Sequence, residues 1–213
     1  MNIFYTALLI IYVGGLGWYG GSGNAVEETE LDGYIQSMTA HATARGKDPS
    51  KAIKYMRSLA ATDNGNEFIM VNLIRFRDKA QYPKGSPWAD ETDPLLADAR
   101  YGAGIMPLLL RSGSLPIFLS SVSGEFINET THGEWDIVAM VRYRSVRDML
   151  KMIVDMSSTD LADHKWAAIE ATHVFPVEPK ISLLSVRLMF GILLVLFAGL
   201  VRFLVRLGHS KNN

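Results

Sequence analysis

The chain of 213 residues contains no cysteine, which removes disulfides, thiolate nucleophiles and cysteine-ligated metals from consideration. It also lacks a basic excess. All 22 acidic residues fall between Glu27 and Glu178, against 17 of the 21 lysines and arginines between Arg45 and Lys180. That middle carries five more negative than positive charges, and without clustered Lys and Arg it is a poor partner for phosphate backbones, so nucleic-acid binding is set aside. No metal-binding spacing such as HExxH occurs, and no residue pattern names a cofactor. Charge is missing altogether from Ile3 to Tyr19 and is confined to Arg187 and Arg202 between Leu183 and Val205.

Those two apolar ends invite a membrane reading. The first, 17 residues long, is at the lower limit for a hydrocarbon layer of about 30 Å. A signal peptide and an uncleaved anchor compete for it. No Lys or Arg precedes it, whereas small residues before Ala25 would suit cleavage. Trp18 and Tyr19 suit an interfacial belt, and Gly17 and Gly21 have the spacing of closely packed helices. The second segment is apolar all round from Leu188 to Val201, with Arg187, Arg202 and Arg206 placed to reach headgroups. Arg202, Arg206 and Lys211 after it, and Glu27, Glu28, Glu30 and Asp32 after the first, orient the tail to the cytoplasm and the central domain to the periplasm.

What is present in the middle is organised on Phe68–Phe76 (FIMVNLIRF), a run of β-branched and aromatic residues bounded by turn residues, and therefore a strand. Before it, Leu31 to Ala42 and Asp48-Pro49 to Leu59 have helical periodicity with helix-terminating signals. After it, residues 77–94 form an irregular stretch long enough to be a functional lid or partner contact. Leu95 to Arg111 reads as a helix, Leu115 to Val122 as a strand, and Trp135 to Tyr143 as an alternating strand. Ser145 to Asp148 resembles a capping box opening a helix through Ile153. A further helix from about Thr159 to Ala171 and a short strand from His173 to Val177 complete a βαββαβ order. The expected class is α+β, a ferredoxin-like domain over 67–180. It follows a helical lead-in over 26–66 and is flanked by transmembrane segments at 1–25 and 181–207, with a tail at 208–213.

Met70–Phe76 (MVNLIRF), Tyr101, Leu115–Ile127 (LPIFLSSVSGEFI), Glu134–Tyr143 (EWDIVAMVRY) and Asp163–Glu170 (DHKWAAIE) together resemble an uncharacterised family of the dimeric α/β-barrel superfamily, over about Asp48 to Pro179. The resemblance implies two ferredoxin-like sheets paired in a homodimer. It also implies relatives that include cofactor-free monooxygenases, haem-handling proteins and stress-response proteins. The apolar ends are additions to that pattern.

Three residues stand out as ligand-contact candidates. Asn72 places an amide among the apolar side chains of its strand face, where it must be satisfied by a structural hydrogen bond or by a ligand. His164, one turn after Asp160, has the chemistry of a general base or haem ligand, although a lone helical histidine is ordinarily packing or surface. Tyr101 is the third. Arg75 and Arg77 share the opposite strand face and suit either solvation and pairing or anion binding. The double anchor and the lack of an assembled catalytic set favour an accessory subunit of a photosynthetic or respiratory membrane complex. The alternative is a small-ligand binder or cofactor-free enzyme using a barrel pocket around Asn72, Tyr101 and His164.

Overall fold

The computed structural model describes residues 2–20, 23–127, 129, 133–179 and 186–210, with side chains described from 3 to 20 and from 189 to 204 at the two ends. The chain divides into two compact units, 21–179 and the pair of terminal segments 1–20 and 180–213.

The central unit is α+β. Four strands, β1 (Phe68–Phe76), β2 (Leu115–Ser121), β3 (Ile137–Tyr143) and β4 (Ile169–Val177), make one sheet in the order β2-β3-β1-β4, with every neighbouring pair antiparallel. β1 is central because it is apolar on both faces. Phe68, Ile69, Met70 and Val71 are all buried, which an edge or half-exposed strand would not tolerate. The turn before it needs Gly65 at φ 78°, where an added Cβ would lie 2.6 Å from backbone atoms of Gly23 and Asn24.

Helices α2 (Glu28–Ala44), α3 (Ser50–Ala60), α4 (Pro94–Arg111), α5 (Val146–Ser157) and α6 (Leu161–Ala168) fill the rest of this unit. Alternation along β1 assigns Phe68 and Met70 to a core shared with Leu31, Ile35 and Met38 of α2, Met56 of α3, Ile105 and Leu109 of α4, and Leu150 of α5. Further along the same face, Ile74 and Phe76 pack on a second cluster of Ala80, Ala97, Ala167, Ala168 and Ile169. Ser145 is the N-cap of α5: its Oγ accepts from the Asp148 amide at 3.1 Å and donates to the Asp148 carboxylate at 2.7 Å. α4 opens on Asp93, whose carboxylate accepts from the Leu95 and Leu96 amides at 2.8 and 3.3 Å.

Two boundaries differ from expectation. β3 starts at Ile137 rather than Trp135, because the Asp136 amide donates to Ile74 O and its carboxylate accepts from the Phe76 amide. α6 stops at Ala168, and the strand expected from His173 starts at Ile169. Pairing with β1, from Phe76–Ile169 to Ile69–Val177, overrides the local helical preference of Glu170 and Ala171.

In the terminal unit, α1 (Asn2–Tyr19) lies against α7 (Val186–Ser210). Tyr12 stacks on Phe190 at 5.9 Å between ring centroids, and Phe4 meets Phe197 at 6.0 Å. Gly15 permits this approach, since a Cβ there would sit 2.9 Å from the Phe190 ring. Gly17, expected at a helix contact, has nothing within 4 Å of that position, and Gly21 lies outside the described residues.

The expected membrane spans are not found: among the described residues no helix is long and apolar enough to cross a membrane. The 18 residues of α1 reach only about 27 Å at 1.5 Å per residue, against a hydrocarbon layer of about 30 Å. α7 is 25 residues long, but its uncharged run is confined to the residues between Arg187 and Arg202. The flanking transmembrane helices of the expected fold, the periplasmic domain and the cytoplasmic tail all derived from those spans and fall with them. Of the five residues assigned to a membrane interface, Trp18 is 42% exposed and Tyr19 7%. Arg202 is exposed, and the side chains of Arg187 and Arg206 lie outside those described.

Candidate functional site

The long connection from β1 to α4 does not stand away from the fold. The Arg77 amide donates to Ala168 O at 2.9 Å and the Gln81 amide to Ala167 O at 3.0 Å, so the segment is tied to the end of α6. The Ala80 amide donates to Thr92 O at 2.9 Å and closes the loop on itself. This tether carries Tyr82 and Trp88 to His164, which projects from α6 and is 5% exposed. Tyr82 Oη lies 2.7 Å from His164 Nδ1. Both rings meet the imidazole edge-on, Tyr82 at 5.5 Å and Trp88 at 5.4 Å between centroids.

The opposite ring nitrogen, Nε2, faces the Asp160 carboxylate at 3.6 Å, too long for a hydrogen bond but close enough to favour a proton on that nitrogen. With Nε2 protonated, Nδ1 accepts from the Tyr82 hydroxyl. The phenol and the imidazole thus share one hydrogen bond along which a proton can shift, and the carboxylate beyond acts through its charge alone. Arg100 of α4 closes the arrangement. Its guanidinium lies 4.3 Å over the Trp88 ring and pairs with Glu91 at 2.9 Å. The Tyr82 hydroxyl, then the Glu91 carboxylate, hold that guanidinium more firmly protonated than usual.

Of the three residues singled out in the sequence, His164 belongs to this centre. Tyr101 of α4 and His164 of α6 lie on adjoining helices, and Lys165 Nζ stands 5.4 Å from the Tyr101 ring. Asn72 is not with them. Its Nδ2 donates to Met70 O at 3.1 Å and Ala139 O at 3.4 Å, so the amide nitrogen is bonded within the sheet. Trp166, beside His164 in sequence, points away and is 54% exposed. His132 lies outside the described residues. Sequence reasoning missed Tyr82, Trp88 and Arg100; the only signal was the unusual length of the connection that carries two of them. Among the described residues no group of three or more His, Asp or Glu is arranged to hold a metal ion.

Asp98, one turn before Gly102 on α4, is partly buried, and that burial raises its carboxyl above the usual range, with Lys165 opposing the shift. A raised pKa means the folded state prefers the protonated acid, so ionisation at neutral pH costs stability. Asp98→Asn is accordingly expected to raise the melting temperature at pH 7. The gain should vanish below about pH 4, where the carboxyl is protonated in both states. Thermal melts of both proteins from pH 3.5 to 8 read this directly, and a pH-independent difference would place its cause elsewhere.

The fold and this centre define an α+β protein in which a half-buried tyrosine of a tethered loop is set against a buried histidine. No family model matches the chain, and no curated protein does. Among solved structures it is similar to a protein of unknown function from Rhodopseudomonas palustris. The identity is 27% and the TM-score 0.53, with 61% of this chain and 94% of that one covered. The methylated protein of the same designation matches at 27% identity and a TM-score of 0.54, covering 60% of this chain and 91% of that one.

Proposed function

We propose that this chain is a small-ligand-binding protein whose working group is the Tyr82 hydroxyl, held by His164 and Arg100 beneath the 77–93 loop. The observation that carries the proposal is the 2.7 Å contact between the half-buried phenol and a nearly inaccessible imidazole. A histidine kept from water yet given a phenol on one nitrogen and a carboxylate facing the other is placed to donate or withdraw a proton through the tyrosine. Trp88 and the Tyr82 ring supply flat apolar surface beside that polar group, the combination common in small-molecule sites. The accessory-subunit reading depended on two membrane spans and does not enter this proposal.

A panel of small aromatic and carbonyl compounds, scanned for shifts in melting temperature, tests it. At least one compound is expected to stabilise the wild-type protein, with its affinity falling about tenfold in Tyr82→Phe, the loss of one well-placed hydrogen bond. Tyr82→Phe keeps the ring and its packing, so its circular dichroism should match the wild type. No stabilising compound, or equal affinity in Tyr82→Phe, would overturn the proposal.

A further inference from the structure

Helix α4 turns one side to the core through Ala97, Ile105 and Leu109 and leaves the opposite side bare. On the bare side Leu96, Ala99, Ala103, Met106 and Leu110 are all exposed. Their spacing of three, four, three and four residues is that of a coiled-coil seam, and the exposed Leu95 widens it at the first turn. Scattered exposed apolar residues are ordinary, whereas a continuous apolar stripe along a whole helix marks an interaction surface. We infer that α4 is a self-association surface, on which the α4 of a second copy of this chain lies antiparallel across a two-fold axis.

The stripe itself narrows the partner. It carries no charged side chain, so it holds nothing to recognise a charged partner by, and it is complementary to its own copy. Charge at the two ends sets the direction. Asp90 and Asp93 are exposed at the start of the helix and Arg111 is exposed at its end. Laid antiparallel, each Arg111 meets the acidic end of the other copy, and the two helix dipoles oppose favourably. A parallel pair would set like charge against like. Asp93 and Arg111 are 18 positions apart, about five helical turns, and therefore stand on the same flank of α4. Antiparallel pairing by a two-fold lays that flank of one helix along the same flank of the other.

Shape agrees with charge. Leucines and a methionine occupy the ends of the stripe, and alanines at its middle let the two backbones approach closely. Ala103, midway between Leu96 and Leu110, falls near the two-fold. This surface is distinct from the sheet face that the family resemblance pairs. One helix face makes a small interface, so the expected Kd lies between about 1 µM and 1 mM.

Sedimentation equilibrium of the full chain over a range of concentrations tests this and should show a reversible dimer. Ala103→Glu sets two carboxylates against each other near the axis and should weaken the dimer about tenfold or more. The position is exposed and glutamate is a good helix former, so circular dichroism should be unchanged. Asp93→Asn keeps the helix cap; it and Arg111→Gln should each weaken the dimer about threefold, and the two together no more than either alone. Because the chain has no cysteine, Ala103→Cys gives a short bismaleimide one site per copy. Its covalent dimer should form at least about tenfold faster than that of Leu119→Cys, placed on an exposed residue of β2. A monomer at about 1 mM, or cross-linking of Ala103→Cys no faster than of Leu119→Cys, would overturn the inference. So would a dimer indifferent to Ala103→Glu, which would place the contact on the sheet or the terminal helices.

Discussion

Glu67→Ala is expected to destabilise the central unit by about 2–4 kcal/mol, because it strands a buried guanidinium without its counter-charge. Arg142 on β3 is 3% exposed, and its Nε donates to Glu67 Oε2 at 2.8 Å. Its Nη1 donates to Gly113 O at 2.8 Å. The Glu67 side chain is 35% exposed, which puts the expected cost below that of a fully buried pair. At about 2–4 °C per kcal/mol for a unit of this size, the melting temperature should fall by roughly 4–16 °C. The double variant Glu67→Ala/Arg142→Met is the informative control. Replacing both charges with apolar groups removes the stranded cation, so it should recover part of the loss. If the single variant melts within a degree of the wild type, Arg142 is solvated in a way this geometry does not contain.

The second large effect is expected from Leu150→Ala. Leu150 on α5 is completely buried in the cluster that joins α2, α3, α4 and α5 to Phe68 and Met70 of the sheet. Truncation there removes three carbons from a site walled on every side, and the cost should be about 2–5 kcal/mol. Chemical denaturation at constant slope would report it as a lower midpoint. Leu119→Ala is the matched comparison: the same chemical change at a side chain 72% exposed should cost less than about 0.5 kcal/mol. Similar losses at both positions would show that the α5 face is not the core.

These expectations also mark how far the residues alone could be read. Phe68–Phe76 announces a strand through a nine-residue run in which five residues are β-branched or aromatic, and Ser145 with Asp148 announces a helix start, because both signals are local. The Ile169 boundary was hidden, since Glu170 and Ala171 carry helical preference and become a strand only when β1 lies alongside. The candidate centre was half visible. His164 could be named as a titratable group on a helix. Tyr82 could not, because it lies 82 positions away from the histidine it touches, in a segment with no periodicity at all.

The terminal segments teach a related point. Their apolar composition is a true property of the residues, yet crossing a membrane is a matter of uninterrupted length along a helix. Among the described residues no helix is both long and apolar enough for that.

Alone, the sequence determined the types of most elements, the α+β class, the absence of thiol chemistry and the acidic character of the middle, since each follows from a residue and its near neighbours. Only the tertiary structure decided that Asn72 Nδ2 bonds within the sheet and that Tyr82 meets His164. Those outcomes depend on which distant backbones are brought within hydrogen-bonding range, and contacts of a few ångströms between remote positions leave no periodic trace in the order of the residues.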